Sequence, residues 1–578
     1  MKRLMSTGLS LCLLLSVLLP TTALTMAAAY EETARSATYF SQEEIDDPNI
    51  WYAVPNHVVT LAEAPASSVY TRLQNAIQAA PAGAVTHIII PFHINVGNIG
   101  TGTRTIVGIR NGATVVLIGD HPTAENGQSV ISDTHGGSST GTAGGGGLTR
   151  TFRVRGDGTE RSGLVFRNVI LQNAPQAVEG VPGVAPEPLP IDQQTHNARG
   201  GGVAIETGAV TGITGAGGGG HLILCRGGII RNCSTDNNGP VDVQTDGRFT
   251  MMPGSEMHTN VASNSGGAVH VNTRGIFTMH GGVLRNNLAR GERTDQPNQR
   301  AVGGAVFIQN GGTFNMHDGE IFENQARLGE NAAAPSATNA IVTSIGGGVF
   351  VTGNASTFNM YGGTIRDNEA IRTRASNVAT QDNRYAFRAG NGGGVYVTAR
   401  AAFNMYNGYI EDNIATAEGT AISSLNGGDA LNLSNGGGVY LTGAGTRFHM
   451  QGGTIRKNEA VRTVNSVPTM PGAPLASSMT VLAGNGGGVH VYDDAIFTMD
   501  DGSIYENTAT ATGTDPANNT SNLYLLSNGG GVFVAGTAVV GSAEAARFFM
   551  NGGTIRDNHA IGTAAALPLF PAMAAVSV

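Results

Sequence analysis

A short text recurs along the chain, and it restricts the possible fold more than any other feature of the sequence. Seven times a Phe is followed two residues later by Met, after a Gly-rich word such as GGAVHV or GGGVFV and before Gly, an aliphatic residue and Asn at constant offsets. These units recur at intervals of 37 to 51 residues, at Phe277, Phe314, Phe358, Phe403, Phe448, Phe497 and Phe548. Such a period is typical of solenoids and propellers, whose units complete one another.

Apolar residues alternate within each unit, which indicates strands rather than helices. In the unit at 346–370 we predict three short strands, around Val349, Phe358 and Ile365, with turns at the Gly and Asn positions. Three strands joined by turns predict one coil of a right-handed parallel β-helix, an all-β solenoid. A kelch-like β-propeller is the structural alternative, but a blade needs four strands, and Trp51 is the only tryptophan.

The text between the units varies in length and wording, as loops do. We therefore expect loops inserted at one corner of the coil, at 371–391, 416–435, 461–485 and 510–528. The Phe and Met columns are expected to fill the core. The recurring Asn is expected to form a ladder of amides rather than a row of ligands, since an inward amide without a partner is costly. Its members are Asn287, Asn324, Asn368, Asn413, Asn458, Asn507 and Asn558.

The ends of the chain differ from the repeats. Lys2 and Arg3 precede an apolar run that closes at small residues, which is the layout of a secretory signal peptide. Further on, SSVYTRLQNAIQAAPAG predicts an amphipathic helix able to cover the open first coil. The predicted organisation is a signal peptide at 1–29, a leader or linker at 30–66, a capping helix at 67–84, irregular coils at 85–199, regular repeats at 200–560, and a C-terminal cap or tail at 561–578.

Composition limits the partners. The formal net charge is −9, and no run of Lys or Arg follows residue 3, which argues against nucleic acid. No segment after the signal peptide is apolar enough to span a bilayer as a helix. Cys225 and Cys233 are too few for a disulfide framework, and the sequence leaves open whether they pair. We expect a secreted or cell-surface monomer without cofactor or metal.

The Gly-rich words and the pattern Ile-x-x-Asn-x-Ala, as at 504–509, resemble repeats of polymorphic outer-membrane proteins and related adhesins. Those belong to the bacterial secreted right-handed parallel β-helix proteins of the pectin-lyase-like superfamily. The resemblance covers roughly residues 160–560 and implies the fold more strongly than a function. Enzymes of this superfamily are polysaccharide lyases and glycoside hydrolases, so that activity is the alternative to a binding role.

No catalytic residue can be assigned from the repeats. Their acids recur at turn positions, as at Asp318, Asp367, Asp412, Asp500 and Asp501, which is typical of solvated turns. The stretch 133–199 departs from the repeat text, and a site could lie there. Its candidate residues are His135, Arg153, Arg155, Asp157, Glu160, Asp192, His196 and Arg199.

An aromatic stripe is the predicted ligand-binding feature. The middle residue of each Gly-rich word points away from the core by alternation, and exposed aromatic side chains suit a sugar ring or a partner protein. The stripe consists of His270, Phe307, Phe350, Tyr396, Tyr440, His490 and Phe533. We therefore predict an exported, non-enzymatic scaffold that binds a polysaccharide or a host or cell-surface protein. The competing interpretation is that apolar filler text, such as 522–526, folds over the stripe and buries it.

Overall fold

The fold is a stack of coils in which each strand pairs in parallel with its copy in the next coil. The strands form five sheets, numbered 1 to 5 in the order in which the chain passes through a complete coil. This arrangement confirms the parallel β-helix. The computed structural model describes residues 40–41, 44, 48–62, 66–96, 107–109, 112–124, 127–133, 151–156, 161–173, 202–207, 218–235, 237–291, 299–327, 342–372, 387–419, 433–464, 480–513, 523–536 and 545–564.

Sheets 1 to 3 enclose the core. Sheet 1 consists of Val107–Ile109, Phe152–Gly156, Val203–Thr207, Val241–Val243, Val269–Val271, Val306–Ile308, Val349–Thr352, Val395–Thr398, Val439–Thr442, Val489–Tyr492 and Val532–Ala535. Sheet 2 consists of His57–Thr60, Val85–Ile90, Thr114–Gly119, Gly163–Arg167, His221–Leu224, Arg248–Met251, Ile276–Met279, Thr313–Met316, Thr357–Met360, Ala402–Met405, Arg447–Met450, Ile496–Met499 and Arg547–Met550. Sheet 3 consists of Ile94–Val96, Ser129–Asp133, Val169–Asn173, Ile229–Arg231, Glu256–His258, Val283–Arg285, Glu320–Phe322, Thr364–Arg366, Tyr409–Glu411, Thr454–Arg456, Ser503–Tyr505 and Thr554–Arg556.

Sheets 4 and 5 follow sheet 3 in the coil and were not predicted. Sheet 4 consists of Ser234–Thr235, Val261–Ala262, Leu288–Ala289, Gln325–Arg327, Glu369–Arg372, Ile414–Gly419, Glu459–Val464, Thr508–Gly513 and His559–Ala564. Sheet 5 consists of Gln299–Val302, Val342–Ile345, Phe387–Asn391, Leu433–Asn435, Thr480–Asn485 and Leu523–Asn528. A complete coil therefore has five strands rather than three.

The two additional sheets correct the predicted loop boundaries. Glu459–Val464 and Thr480–Asn485 overlap the predicted loop at 461–485. Their strands pair with copies in the neighbouring coils, as between Glu459–Val464 and Thr508–Gly513. The buried side chains of sheet 4 are mostly small, as at Ala460 and Ala509, so the pattern of large apolar residues did not reveal these strands. The variable text leaves from the same point of each regular coil, between sheets 4 and 5, as predicted for one corner.

The interior contains the predicted columns. Phe358 and its copies from Phe277 to Phe497 are buried, and consecutive rings of this set stack with centroids 4.5–4.8 Å apart and planes within 4–6° of parallel, whereas Phe548 in the last described coil is half-buried. Met360 and Ile365 are fully buried beside them. Each side chain thus packs against its copies above and below as well as across the coil, which is why one coil could not be stable alone.

The recurring Asn forms the predicted ladder of amides. The Asn368 side-chain N–H donates to Asn413 Oδ1 at 3.0 Å and to the Ile321 carbonyl oxygen at 2.8 Å. The Asn368 backbone N–H donates to the same Asn413 oxygen at 3.1 Å. The pattern repeats from Asn260 to Asn558, so these buried amides are satisfied by one another and by the backbone.

The Gly-rich word lies where the chain that comes from sheet 5 passes the chain that leaves sheet 3. In the unit at 346–370, Gly347 and Gly348 meet Asn368 and Glu369 at this crossing, which we call the neck. A Cβ atom on Gly347 would lie 2.5 Å from the Glu369 carbonyl carbon, and one on Gly348 would lie 3.3 Å from the Asn368 side-chain nitrogen. The backbones approach so closely that a side chain has no space at Gly347. The constant Gly and Asn residues are therefore the two sides of one contact.

One α-helix, Ala66–Gln78, is present among the described residues; it begins one residue before the range of 67–84 predicted for a cap and ends six residues before the end of that range. Its Leu73 and Ile77 are buried in the main core, and the helix contacts Ile94–Val96 and Val107–Ile109 in the first coil. The helix therefore covers the N-terminal end of the stack. No helix in the described part of the chain is long and apolar enough to cross a membrane.

The predicted leader also belongs to the folded body. It contributes the 3₁₀ helix Pro48–Ala53 and the first strand of sheet 2. Phe40 and Tyr52 pack on the outer face of sheet 2 against Val116 and Val165. The predicted signal peptide at 1–29 lies outside the described residues.

Both cysteines of the repeat region are buried thiols, and no disulfide joins them. The Cys225 thiol donates to Tyr52 Oη at 3.2 Å, and burial raises the pKa of Cys225 to about 12. Cys233 lies in the main core. The sequence left open whether Cys225 and Cys233 form a disulfide, and the structure shows that they do not.

Candidate binding surface

The predicted aromatic stripe lies on the face of sheet 1 that points away from the core, yet it is not accessible. Tyr396 and His490 are 1% exposed, and Phe307 is 8% exposed. Phe533, in the last described coil, is half-buried. The expectation that the stripe is exposed is therefore wrong, and the remaining members, His270, Phe350 and Tyr440, are buried as well.

Sheet 5 supplies cover for the stripe. Val302 and Ile345, the last residues of two sheet 5 strands, pack with Phe307, Phe350 and Tyr396 in one apolar cluster that is separate from the main core. This matches the competing interpretation, in which filler text folds over the stripe. Alternation gave the correct face of the sheet, but it could not show that a second sheet lies outside that face.

The two histidines of the stripe differ in their hydrogen bonds. His270 Nδ1 lies 2.7 Å from an Asp242 carboxylate oxygen, and its Nε2 lies 3.0 Å from the Gln309 side-chain nitrogen, so neither ring nitrogen is free for catalysis. Neither nitrogen of His490 has a hydrogen-bond partner among the described residues. Burial lowers the pKa of His490 to about 3, which keeps its ring neutral between Tyr440 and Phe533.

Two of the candidate residues at 133–199 can be placed. Arg153 and Arg155 lie on the outer face of sheet 1, and both approach the Glu206 carboxylate, at 3.3 and 2.9 Å. The carboxylate is thus neutralised by two cations, an arrangement that suits structural pairing better than general acid catalysis. The others, His135, Asp157, Glu160, Asp192, His196 and Arg199, lie outside the described residues.

The recurring acids occupy turns, as predicted. Asp318 and Asp501 each accept a hydrogen bond from the backbone N–H of the following Gly, at 2.8 and 2.7 Å. Asp367 and Asp412 adopt positive φ angles of 53° and 55° at the turn before the Asn ladder. Within the described ranges no three His, Cys, Asp or Glu side chains are grouped so that they could hold a metal ion.

A different row of side chains is exposed, at the turn between sheets 2 and 3, which we call the outer corner. Its members follow the Met of each unit directly, and all of them are exposed. In chain order they are His280, His317, Tyr361, Tyr406, Gln451, Asp500 and Asn551. Sequence reasoning missed this row, although the residue after each Met was a visible signal: it is polar or aromatic in every unit.

The first four members of the outer corner form a continuous stack. Ring centroids are 5.0 Å apart between His280 and His317, 4.8 Å between His317 and Tyr361, and 4.8 Å between Tyr361 and Tyr406, with planes 8–11° from parallel. Tyr361 is 41% exposed and Tyr406 is 37% exposed. Because the ring faces contact one another, the stack presents ring edges and polar tips to solvent, one per coil.

On the outer face of sheet 3, which follows the outer corner, arginine side chains lie over aromatic rings of the neighbouring coil. The Arg366 guanidinium lies 4.1 Å from the Phe322 ring centroid and pairs with Glu320 at 2.8 Å. The Arg556 guanidinium lies 4.4 Å from the Tyr505 ring centroid. Tyr409 is 46% exposed directly after the turn, so it widens the aromatic surface of the outer corner.

The outer corner changes its charge along the stack. At the N-terminal end is a groove of about 460 Å³, whose lining includes Arg167, Arg226 and the carboxylate of Glu256, which pairs with Arg285. Arg167 is paired with Glu44, but the exposed Arg226 pairs with no carboxylate of the described residues. At the C-terminal end, hydrogen bonds from Asn551 and His449 hold the pKa of Asp500 below its usual value. The N-terminal end of the outer corner thus offers the guanidinium of Arg226, the middle offers aromatic rings, and the C-terminal end offers the Asp500 carboxylate.

The comparisons with known proteins identify no relative. No family model matches the chain, and neither does any curated protein or solved structure. The β-helical solenoid is therefore established by the strand pairing itself.

Proposed function

We propose that this protein is an exported, non-enzymatic scaffold that binds an extended polysaccharide along the outer corner. The observation that carries the proposal is the row of exposed polar rings at His280, His317, Tyr361 and Tyr406, whose ring centroids lie 4.8–5.0 Å apart. A rigid row with one hydrogen-bonding group per coil suits a chain ligand that itself repeats hydroxyl groups. Few long side chains have to be ordered on binding, because the rings are already held by stacking.

The groove beside Arg226 favours a polysaccharide with carboxylate or sulfate groups. An exposed guanidinium that has no carboxylate partner can bind such a group through two parallel hydrogen bonds. The aromatic part of the outer corner would then hold neutral portions of the same chain. Export is supported by the signal-peptide layout at 1–29. The repeat words, together with the solenoid, support placing the protein among the bacterial secreted β-helices of the pectin-lyase-like superfamily.

The test is retention on immobilised neutral and acidic polysaccharides, followed by analysis of the polysaccharide. We expect the protein to be retained, more strongly on acidic chains at low salt, and the polysaccharide to stay intact. A double variant, Tyr361→Phe with Tyr406→Phe, keeps the ring stack and removes two hydroxyl groups. It should bind about tenfold more weakly, because each hydrogen bond contributes roughly 0.5–1.5 kcal/mol, while its melting temperature should not change.

Tyr492→Phe is the matched control, since Tyr492 lies at the end of a sheet 1 strand and not at the outer corner. It should bind like the parent. Unsaturated products or new reducing ends would show that the protein is an enzyme and would contradict the proposal. Absence of retention on every polysaccharide would contradict it as well, and would direct attention to a cell-surface protein as the partner.

A further inference from the structure

The outer face of sheet 2 is flat in the three successive coils whose sheet 2 strands lie within 313–405. Identical side chains in neighbouring coils report the rotation from one strand to the next. The Phe314 and Phe358 rings are 5° from parallel, and the Phe358 and Phe403 rings are 6° from parallel. Adjacent strands of an ordinary sheet are rotated by about 20–25°. Sheet 2 therefore twists little here, and its outer side chains lie close to one plane.

This part of sheet 2 carries a two-dimensional array of side chains, which we call the flat face. Its strands pair residue for residue, as Thr313 with Thr357 and Asn315 with Asn359, so equivalent side chains form straight columns. Neighbouring columns lie roughly 6.6 Å apart along the strand, since every second residue points outward. No member of the flat face is Asp, Glu, Lys or Arg. In chain order the members are Thr313, Asn315, His317, Thr357, Asn359, Tyr361, Ala402, Asn404 and Tyr406.

The Asn column of the flat face is held in place by its own hydrogen bonds. The Asn359 side-chain N–H donates to Asn315 Oδ1 at 2.9 Å, and the Asn404 side-chain N–H donates to Asn359 Oδ1 at 2.9 Å. An amide has two N–H donors and an oxygen that can accept two hydrogen bonds. The column uses one donor and one acceptor position of Asn359, so a second donor and a second acceptor position are left for a ligand. Because these side chains are already ordered, binding costs little conformational entropy.

The leader covers another part of the same sheet, and the sequence changes where that cover ends. The column that contains Asn315 begins as Val116, Val165 and Ile223, which pack with Phe40 and Tyr52 of the leader. It then becomes polar, passing through Thr250 and Thr278 to the Asn residues. The Asn residues and Thr357 are half-buried rather than buried. The flat face is therefore polar where the described part of the leader does not reach, and it is open to an external ligand.

We propose that the flat face binds the surface of a packed, neutral polysaccharide, in which parallel chains present hydroxyl groups in one plane. This inference rests on the proposed function, because the rings of the flat face are also part of the outer corner. A single flexible chain can follow only one column of the array, whereas an ordered layer of chains meets all three columns at once. The lack of charged side chains means that no ion has to lose its water when the two planes meet.

The first experiment measures retention on crystalline cellulose and crystalline chitin, and on the same two polysaccharides in swollen, amorphous form. At equal accessible surface, we expect binding to one of the crystalline forms to be about tenfold stronger than to its amorphous form, a difference of about 1.4 kcal/mol. Equal retention on both forms would overturn this inference and leave the proposed function standing. So would retention on soluble acidic polysaccharides alone. Absence of retention on every polysaccharide would overturn both.

The second experiment uses Thr357→Arg, which places a long charged side chain in the middle of the flat face. The fold accepts arginine in this column, since Arg447 occupies it next to Ala402. We expect binding to the crystalline polysaccharide to fall about tenfold, while the melting temperature and retention on soluble acidic polysaccharides stay as in the parent. Thr463→Arg is the matched control, because Thr463 is also half-buried but lies in sheet 4, and it should bind like the parent.

Two results with Thr357→Arg would overturn the inference. One is unchanged binding to the crystalline polysaccharide. The other is a parent protein that self-associates in light scattering and becomes monomeric on this substitution, which would make the flat face an interface between two copies of the chain.

Discussion

The neck and the outer corner are two turns of the same coil, and they differ in what fixes their residues. At the neck, a Cβ on Gly393 would lie 2.5 Å from the carbonyl carbon of Ile414, and the side-chain amide of Asn413 hydrogen-bonds to the next coil. At the outer corner the side chains project into solvent, and the residue after Met varies from His to Tyr, Gln, Asp and Asn. The fold therefore specifies the neck, and it leaves the outer corner available for binding.

The largest predicted effect concerns the strands of sheets 4 and 5, which connect the two sides of the neck. Replacing residues 461–485 by a short Gly-Ser turn removes part of the strand Glu459–Val464 and the whole of Thr480–Asn485. It also removes Asn485, which hydrogen-bonds to Asn435 below and accepts from Asn528 above. We expect loss of soluble folded protein, measured by expression yield and circular dichroism. A soluble variant with the parent's β-sheet spectrum would show that sheets 4 and 5 are dispensable.

The next effect concerns the core that both turns enclose. Phe403 is fully buried, and its ring centroid lies 4.8 Å from that of Phe358 and 4.6 Å from that of Phe448. Phe403→Ala should lower the free energy of unfolding by about 3 to 5 kcal/mol, because rigidly stacked neighbours cannot fill the cavity. Chemical denaturation measures this loss. Phe403→Leu, which keeps most of the volume, should cost clearly less, and equal losses for both variants would contradict the stacked core.

The pH dependence of stability tests whether His490 of the stripe is buried. The pKa of His490 is about 3 in the fold, against an ordinary value of 6.5, so the unfolded chain binds more protons between these values. Above pH 6.5 the ring of His490 is neutral in both states, so it does not lower the stability of the fold. As the pH falls from 6.5 toward 3, protonation of the unfolded chain lowers the free energy of unfolding. His490→Phe should remove that loss and make the variant about 1 to 3 kcal/mol less sensitive to acidification from pH 7 to pH 4.5 than the parent.

Denaturation at the two pH values measures this difference. The pKa values of His87, His221 and His258 are also lowered by desolvation, but these residues are present in both proteins, so their contributions cancel in the comparison. Phe533→Leu is the control, because it changes a neighbour of His490 in the stripe without removing a titratable group, and it should show the pH dependence of the parent. If the parent and His490→Phe lose stability equally on acidification, His490 is not buried as the structure has it.

The repeat predicted the solenoid, the core columns and the Asn ladder because each of these features uses a residue type that recurs at a fixed offset. Phe358 and Asn368 are examples: each is defined by copies at the same position in neighbouring coils. The capping helix could also be predicted, since the spacing of Val69, Leu73 and Ile77 follows the helical period.

The candidate site was not predictable by the same reasoning. Apolar filler text such as 522–526 indicated a possible cover over the stripe, but its wording changes from unit to unit, so it did not reveal that the cover over Phe350 is a paired sheet. The outer corner was overlooked because its residues change from His317 to Tyr361 to Gln451, and a search for constant residues passes over a variable position. Only the structure shows that this variable position is exposed in all seven regular units and that its first four members form one continuous stack.

One paired measurement on a single coil tests the contrast between neck and outer corner most directly. Asn413→Ala and Tyr406→Ala change residues of the same unit, and both unfolding free energies and polysaccharide affinities can be compared with those of the parent. We predict that Asn413→Ala loses about 1 to 3 kcal/mol of stability, because the partners of the amide stay buried and unsatisfied, and that it keeps its affinity under conditions where it is folded. Tyr406→Ala should lose at most about 1 kcal/mol of stability and most of its binding. The account is contradicted if Tyr406→Ala binds like the parent, or if it is destabilised as much as Asn413→Ala.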